Sequence, residues 1–222
     1  MARPKKSQHR DTRQAILDAA LELFAARGFF GTSMREIGRA VGVRESALYH
    51  HFPSKETIFK DLLTQLGPGR VSQVVGVDVE ALAAALGVEE LFSRMMKLVA
   101  TSWAVPQEQM LFRIILQEGA RLAASDVASP TSGMAKVRGQ LVKMFETLAK
   151  AKLIRPVDPV ATSLLFMGPM VCLRIMHTAS PTPDFKALEK DTEALSAQLW
   201  ALLKPLPAAA PRKARAARSA RA

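Results

Sequence analysis

An all-α fold follows from three features of this 222-residue sequence. Apolar residues recur at three- and four-residue spacing through most of the chain. Proline or glycine, often beside Ser or Asp, punctuates it at helix-length intervals. No alternating apolar-polar run with hairpin turns occurs, and there is no internal repeat. The length suffices for two modest domains, each with a core.

Residues 1–10 read as a basic, disordered arm. Asp11 with Gln14 is placed to cap a first helix ending near Arg27. Its stripe is Ile16, Ala20, Leu23 and Phe24, joined by Leu17 and Leu21. Ser33 and Glu36 have capping-box spacing, in which hydroxyl and carboxylate reach each other's backbone N–H groups. Ile37, Ala40 and Val41 follow at helical spacing, and Gly42 ends that helix in a left-handed conformation. Ala47, Leu48 and His51 resume an inward face, while Tyr49 and His50 point away. Pro53 stops the second short helix and Ser54 caps the next. Ile58, Phe59, Leu62, Leu63 and Leu66 line that one, which ends at Gly67-Pro68-Gly69.

Beyond a Val- and Gly-rich stretch, helices are expected at 79–86, 89–104 and 107–124. Ser129-Pro130 and Asp158-Pro159 each set a capping residue before a proline at the first helical position. They open helices reaching about Lys152 and His177. Gly168-Pro169 is expected to break the second of these, leaving an apolar segment short for a membrane span. Pro183-Asp184 opens the last helix, 185–203, closed by Pro205 and Pro207. The tail, 205–222, is Ala-, Arg-, Lys- and Pro-rich and is expected to be disordered.

A short helix, a tight turn and a second short helix form the unit that lays one helix in the DNA major groove. The charge distribution agrees. Residues 1–60 carry 11 Lys or Arg against 6 Asp or Glu, net +5; residues 61–203 carry 14 of each, net 0; residues 204–222 carry 6 basic and no acidic residues, net +6. The positive excess sits at the two ends, and phosphate neutralisation dominates nucleic-acid affinity.

The most specific residues are Ala47-Leu48-Tyr49-His50-His51-Phe52-Pro53-Ser54-Lys55-Glu56. With 16–24 and Arg27-Gly28-Phe29, they closely resemble the DNA-binding domain of the tetracycline-repressor (TetR) family over about 12–59. The resemblance implies a helix-turn-helix DNA-binding domain at 11–59. A helical ligand-sensing and dimerisation domain would fill 60–204. It also implies a homodimer on a palindromic operator, most often a repressor released by a small, largely apolar effector. Arg44 and Glu45 depart from the family's usual Ser or Thr cap and small or basic residue. Arg44 has no side-chain acceptor for helix N–H groups, so either the cap is lost or Ser46 shifts the start.

Groove reading needs donors and acceptors on the outer side of the second helix. Arg44 suits a guanine edge. Glu45 suits a cytosine amino group, or it only steers Arg44 and complements the first turn. Tyr49 and His50 suit phosphates, or a thymine methyl for Tyr49. Thr32, Ser33 and Lys55 sit at helix N-termini, where anions are favoured, although Ser33 also reads as a plain cap. The resemblance carries DNA contact to Thr32, Arg44, Ser46, Tyr49, His50 and Lys55. Arg35 and Arg39 suit phosphate or solvent equally, and Arg3, Lys5, Lys6 and Arg10 suit the duplex backbone.

In the larger domain, Met95, Met96, Met110, Met144 and Met170 are candidates to line a mouldable effector cavity. Trp103, Phe112, Phe145 and Phe166 join that wall, with Arg113, Glu118 or Arg174 for a charged group. The competing reading is ordinary core. Leu164, Leu165, Gly168, Val171 and Ile175, with Leu188, Leu195, Leu199 and Leu202, are candidates for pairing two subunits. They would equally serve to bury the helices within one.

Other chemistries find little support. Cys172 is the single cysteine, so no internal disulfide framework exists. Of His9, His50, His51 and His177, three lie in or before the DNA-binding unit. No metal box, phosphate loop or nucleophile elbow is present, so no cofactor and no enzymatic activity are expected. A non-specific, architectural DNA-binding protein acting through its basic arms is the main rival. The polar start and reduced cysteine lead to a cytoplasmic expectation.

Overall fold

The computed structural model describes residues 6–125, 130–180 and 182–206, with side chains described for 12–125, 132–180 and 182–206. Among these residues there are eleven helices and no strand. They are α1 (Lys6–Arg27), α2 (Met34–Val41), α3 (Glu45–His51), α4 (Lys55–Gln65), α5 (Pro68–Val75) and α6 (Val79–Leu86). The remainder are α7 (Val88–Ser102), α8 (Pro106–Ala124), α9 (Pro130–Lys150), α10 (Pro159–Thr178) and α11 (Phe185–Leu203).

Three expectations change. The first helix starts at Lys6, not at an Asp11 cap, so half of the expected arm is helical; no Pro or Gly interrupts 6–27 to stop it. Gly67-Pro68 is a joint between two helices instead of a terminator: Pro68 opens α5, where its missing N–H costs nothing. α10 runs unbroken through Gly168-Pro169 and reaches the length and hydropathy of a membrane span. The proline there forgoes a hydrogen bond to the Leu165 carbonyl, and Leu165 stands on the outer face, 60% exposed. Expectations for Arg3 and Lys5, the Ser129 cap, and the tail from Pro207 fall outside the described residues.

Two apolar cores result. In the first, Ile16, Leu17, Ala20 and Phe24 of α1 meet Phe29, Ile37, Leu48, Phe52, Ile58 and Phe59. Phe29 sits 5.1 Å from Phe24 and 5.2 Å from Phe59, centroid to centroid, in tilted packing that favours ring edges on ring faces. This core does not close by itself. Leu111, Ile114 and Leu122 of α8 complete it. The second core lies among α5–α7 and α9–α11, around the mutually packed rings of Phe92, Phe145 and Phe166. α7 lies along α11, and α9 packs on α5 and α10.

α8 ties the two cores together through buried polar contacts. Glu118 Oε2 accepts from the Phe29 N–H at 2.6 Å, at the exit of α1. Glu108, 1% exposed, accepts from the Gly67 N–H at 2.9 and 3.0 Å, at the α4–α5 joint. One helix therefore holds both ends of the small domain.

Candidate DNA-reading surface and internal cavity

α2 begins as its sequence dictates. Ser33 Oγ accepts from the Glu36 N–H, and Glu36 Oε2 accepts from the Ser33 N–H at 2.8 Å. The Ser33 hydroxyl, which also donates to Glu36 Oε2 at 2.7 Å, and then the Ser33 N–H hold the Glu36 carboxyl below its ordinary range, with Arg27 adding to the effect. Gly42 closes the helix at φ 73°, donating to the Arg39 and Gly38 carbonyls. The turn delivers α3 with Leu48 fully buried against the first core. That single anchor fixes which way the helix faces. Arg44, Glu45, Ser46, Tyr49 and His50 are exposed together on the other side.

Arg44 is the N-cap residue of α3 in extended conformation, and no side chain caps that helix. The cap is lost instead of shifted to Ser46. Ala47, expected to point inward, is exposed, because α3 offers only one position to the core.

Two of the expected phosphate contacts are differently employed. Thr32 is 2% exposed, and its hydroxyl donates to the Gly28 carbonyl at 2.9 Å and the Leu23 carbonyl at 3.4 Å. Its side chain is turned in to satisfy the end of α1 and is not presented to an anion. The Lys55 ammonium donates to the Phe29 and Thr32 carbonyls at 2.9 and 3.0 Å and lies 4.6 Å from the Phe29 ring centroid. It closes the α1–α2 loop. Helix N-termini with open donors look alike in sequence, and only the fold shows that this loop's carbonyls compete for both side chains.

A cavity of about 200 Å³ opens in the second core. Met95, Met96, Trp103, Phe112, Phe166 and Met170 line it as expected from their type. The other four candidates do not. Met110 packs against the first core, Arg113 is exposed, Met144 is buried in the second core away from this wall, and Phe145 is fully buried behind Phe166. Gly67, Pro68, Val71 and Val75 contribute wall that the sequence did not single out for this purpose. Of the three candidate charged groups, Arg174 is the one at the wall. Its guanidinium lies 4.2 Å from the Phe112 ring centroid and 5.2 Å from that of Trp103. Burial pushes its pKa below the ordinary value, while Glu108, 3.3 Å away, acts in the opposite direction. Among the described residues, no cluster of His, Cys, Asp or Glu is arranged to hold a metal ion.

On the outside of α10, Leu164, Leu165, Val171 and Ile175 are 38–60% exposed, beside exposed Gly168; Leu202 of α11 is 53% exposed and Leu195 is half-buried. Leu188 and Leu199, at 2% and 6%, belong to the subunit's own core and are not available to a partner. Both occupy the face of α11 turned toward α7, which an unassigned helical stripe cannot reveal.

Comparison with known proteins agrees with this geometry. Residues 16–62 match the family model described as "Bacterial regulatory proteins, tetR family". The chain is 45% identical to the HTH-type transcriptional regulator AcrR of Shigella flexneri over 62 residues, which is 28% of this chain and 29% of that one. It is 26% identical to the HTH-type transcriptional regulator RutR of Escherichia coli K12 over 176 residues, 79% of this chain and 77% of RutR. The structure of NalD, the secondary repressor of the MexAB-OprM multidrug efflux pump in Pseudomonas aeruginosa, matches with a TM-score of 0.64 at 22% identity, covering 90% of this chain and 98% of NalD. At that identity the likeness speaks for the fold alone. The helix-turn-helix segment is thus similar to that of the tetR family of bacterial regulatory proteins, and the long match to RutR extends the likeness over most of the chain.

Proposed function

We propose that the protein is a homodimeric repressor that reads a palindromic operator through α3 and leaves it when a small, largely apolar molecule enters the second core. The observation carrying this reading is the grouping of Arg44, Glu45, Ser46, Tyr49 and His50 on the exposed side of a helix anchored by Leu48. Arg44, free of any capping bond, is the base reader, donating to a guanine edge. Ser46, Tyr49 and His50 reach phosphates or a thymine methyl, and Ser33 combines its cap with a nearby phosphate.

One α3 spans only a few base pairs. Two related by a two-fold axis read half-sites about one helical turn apart. The apolar outer face of α10 with Leu202 supports that pairing, since so many exposed large aliphatics on one face mark an interface. A DNA-reading protein works beside the chromosome, so the bacterial cytoplasm is its proposed location. The effector must bind the DNA-competent and released conformations unequally, or no population shifts.

Selection of bound duplexes from a random library, followed by footprinting against competitor DNA, tests the reading. A palindromic consensus with a protected guanine in each half-site is expected, and Arg44→Ala relaxes preference at that position. Equal retention of all duplexes would instead indicate an architectural protein.

A further inference from the structure

The cavity wall contains one unanswered polar group. Arg174 Nη2 donates to the Glu108 backbone carbonyl at 3.1 Å and to Glu108 Oε2 at 3.3 Å. Arg174 Nε is buried and has no hydrogen-bond partner among the described residues. Buried donors are almost always satisfied, so the orphan marks the guanidinium at the cavity wall as under-paired. Among the described residues, Arg174 is the one charged residue in an otherwise apolar lining.

The charge balance gives the acceptor's sign. Arg70 Nε lies 3.6 Å from Glu108 Oε1 on the other side of the same carboxylate. Two guanidiniums thus share one carboxylate, and one positive charge remains in excess beside the cavity. A single anionic head on the guanidinium answers the excess charge. A phosphate would bring further oxygens that these walls leave without donors. Volume bounds the rest: an apolar cavity of about 150 Å³ takes a benzene, so about 200 Å³ takes about eight non-hydrogen atoms.

We propose that the cavity receives an apolar monocarboxylate of that size, with its carboxylate on the Arg174 guanidinium, and that Glu108 relays its arrival to the Gly67 N–H at the α4–α5 joint. This rests on the sensor reading above. A carboxylate on Arg174 repels Glu108, which re-pairs with half-exposed Arg70 and slackens on Gly67. α4 hangs from that joint and packs Ile58, Phe59 and Leu62 into the core beneath α3. Occupancy thereby loosens the element that sets the reading helix.

Calorimetric titration of the full chain with hexanoate and with hexanamide tests the site, because the pair differs in charge and hardly in shape. Hexanoate is expected to bind about tenfold or more tightly than hexanamide, as a charge-assisted hydrogen bond requires. Arg174→Gln, checked for folding by circular dichroism, is expected to erase that preference. The acid–amide comparison needs no substitution, so a misfolded variant leaves the inference falsifiable. Equal affinities overturn the carboxylate site yet leave an apolar sensor standing, whereas binding of neither probe removes both. Hydrogen exchange tests the relay: saturating hexanoate is expected to speed exchange of the Gly67 amide about tenfold, as loss of its acceptor requires. An unchanged amide overturns the relay.

Discussion

Lys55 joins two backbone carbonyls and an aromatic face at the exit of α1. Its removal therefore acts first on stability. Lys55→Ala is expected to lower the unfolding free energy by about 1–3 kcal/mol in a denaturant melt, with the salt dependence of DNA binding little altered. A residue acting only on phosphate would do the reverse, reducing the slope by about one ion with stability unchanged. Arg44→Ala is its counterpart: no capping bond is lost, so the melt stays put while base preference relaxes. Glu36 adds a pH signature. Its folded pKa lies below the unfolded value because Ser33 donates to the charged carboxylate. Its contribution is complete above the unfolded pKa, near the ordinary 4.5, and fades as pH falls through the lower folded value. Glu36→Gln is expected to flatten the acid limb of the stability profile in that window, read by urea melts at successive pH values.

At the scale of elements, α8 matters most because it serves both cores. Its Glu108 is paired on three sides, with Gly67, Arg174 and Arg70. Glu108→Ala leaves a buried guanidinium without its counter-charge and is expected to destabilise by about 3–5 kcal/mol in thermal or urea melts. Near the other end, Gly28 has φ 79°, and an added Cβ would stand 2.6 Å from Glu118 Oε1. Gly28→Ala is expected to cost about 1–2 kcal/mol from backbone strain, with the Phe29–Glu118 bond displaced as well. The helices were mostly legible in the sequence because capping boxes and proline at the first helical position are local signals. Asp158-Pro159 and Asp184 both cap as their spacing implies. The Gly67-Pro68 joint was not legible, because a helix end and a hinge share the same residues until a partner such as Glu108 arrives from elsewhere.

For the whole molecule, the outward apolar face of α10 is the surface that a second copy is proposed to cover. Leu164→Glu combined with Leu165→Glu places two carboxylates there without touching the subunit's core, since both positions are 46–60% exposed. Sedimentation is expected to shift from dimer to monomer, and operator affinity to fall steeply because one head reads only half the site. A folded, dimeric double variant would assign this face elsewhere. Leu188 and Leu199 make poor probes of pairing, because truncating either opens a cavity within one subunit.

By itself the sequence determined what is local: the capping box at Ser33–Glu36, the left-handed stop at Gly42, the inward Leu48 and the outward Arg44, Tyr49 and His50. Each follows from backbone sterics and helical periodicity over a few residues. Only tertiary structure decided which methionines meet a cavity, why Thr32 and Lys55 turn inward, and how Glu108 and Arg174 come together from positions 66 residues apart. Those outcomes depend on long-range packing, where a side chain's role is set by whichever donors, acceptors and apolar surfaces the rest of the chain brings to it.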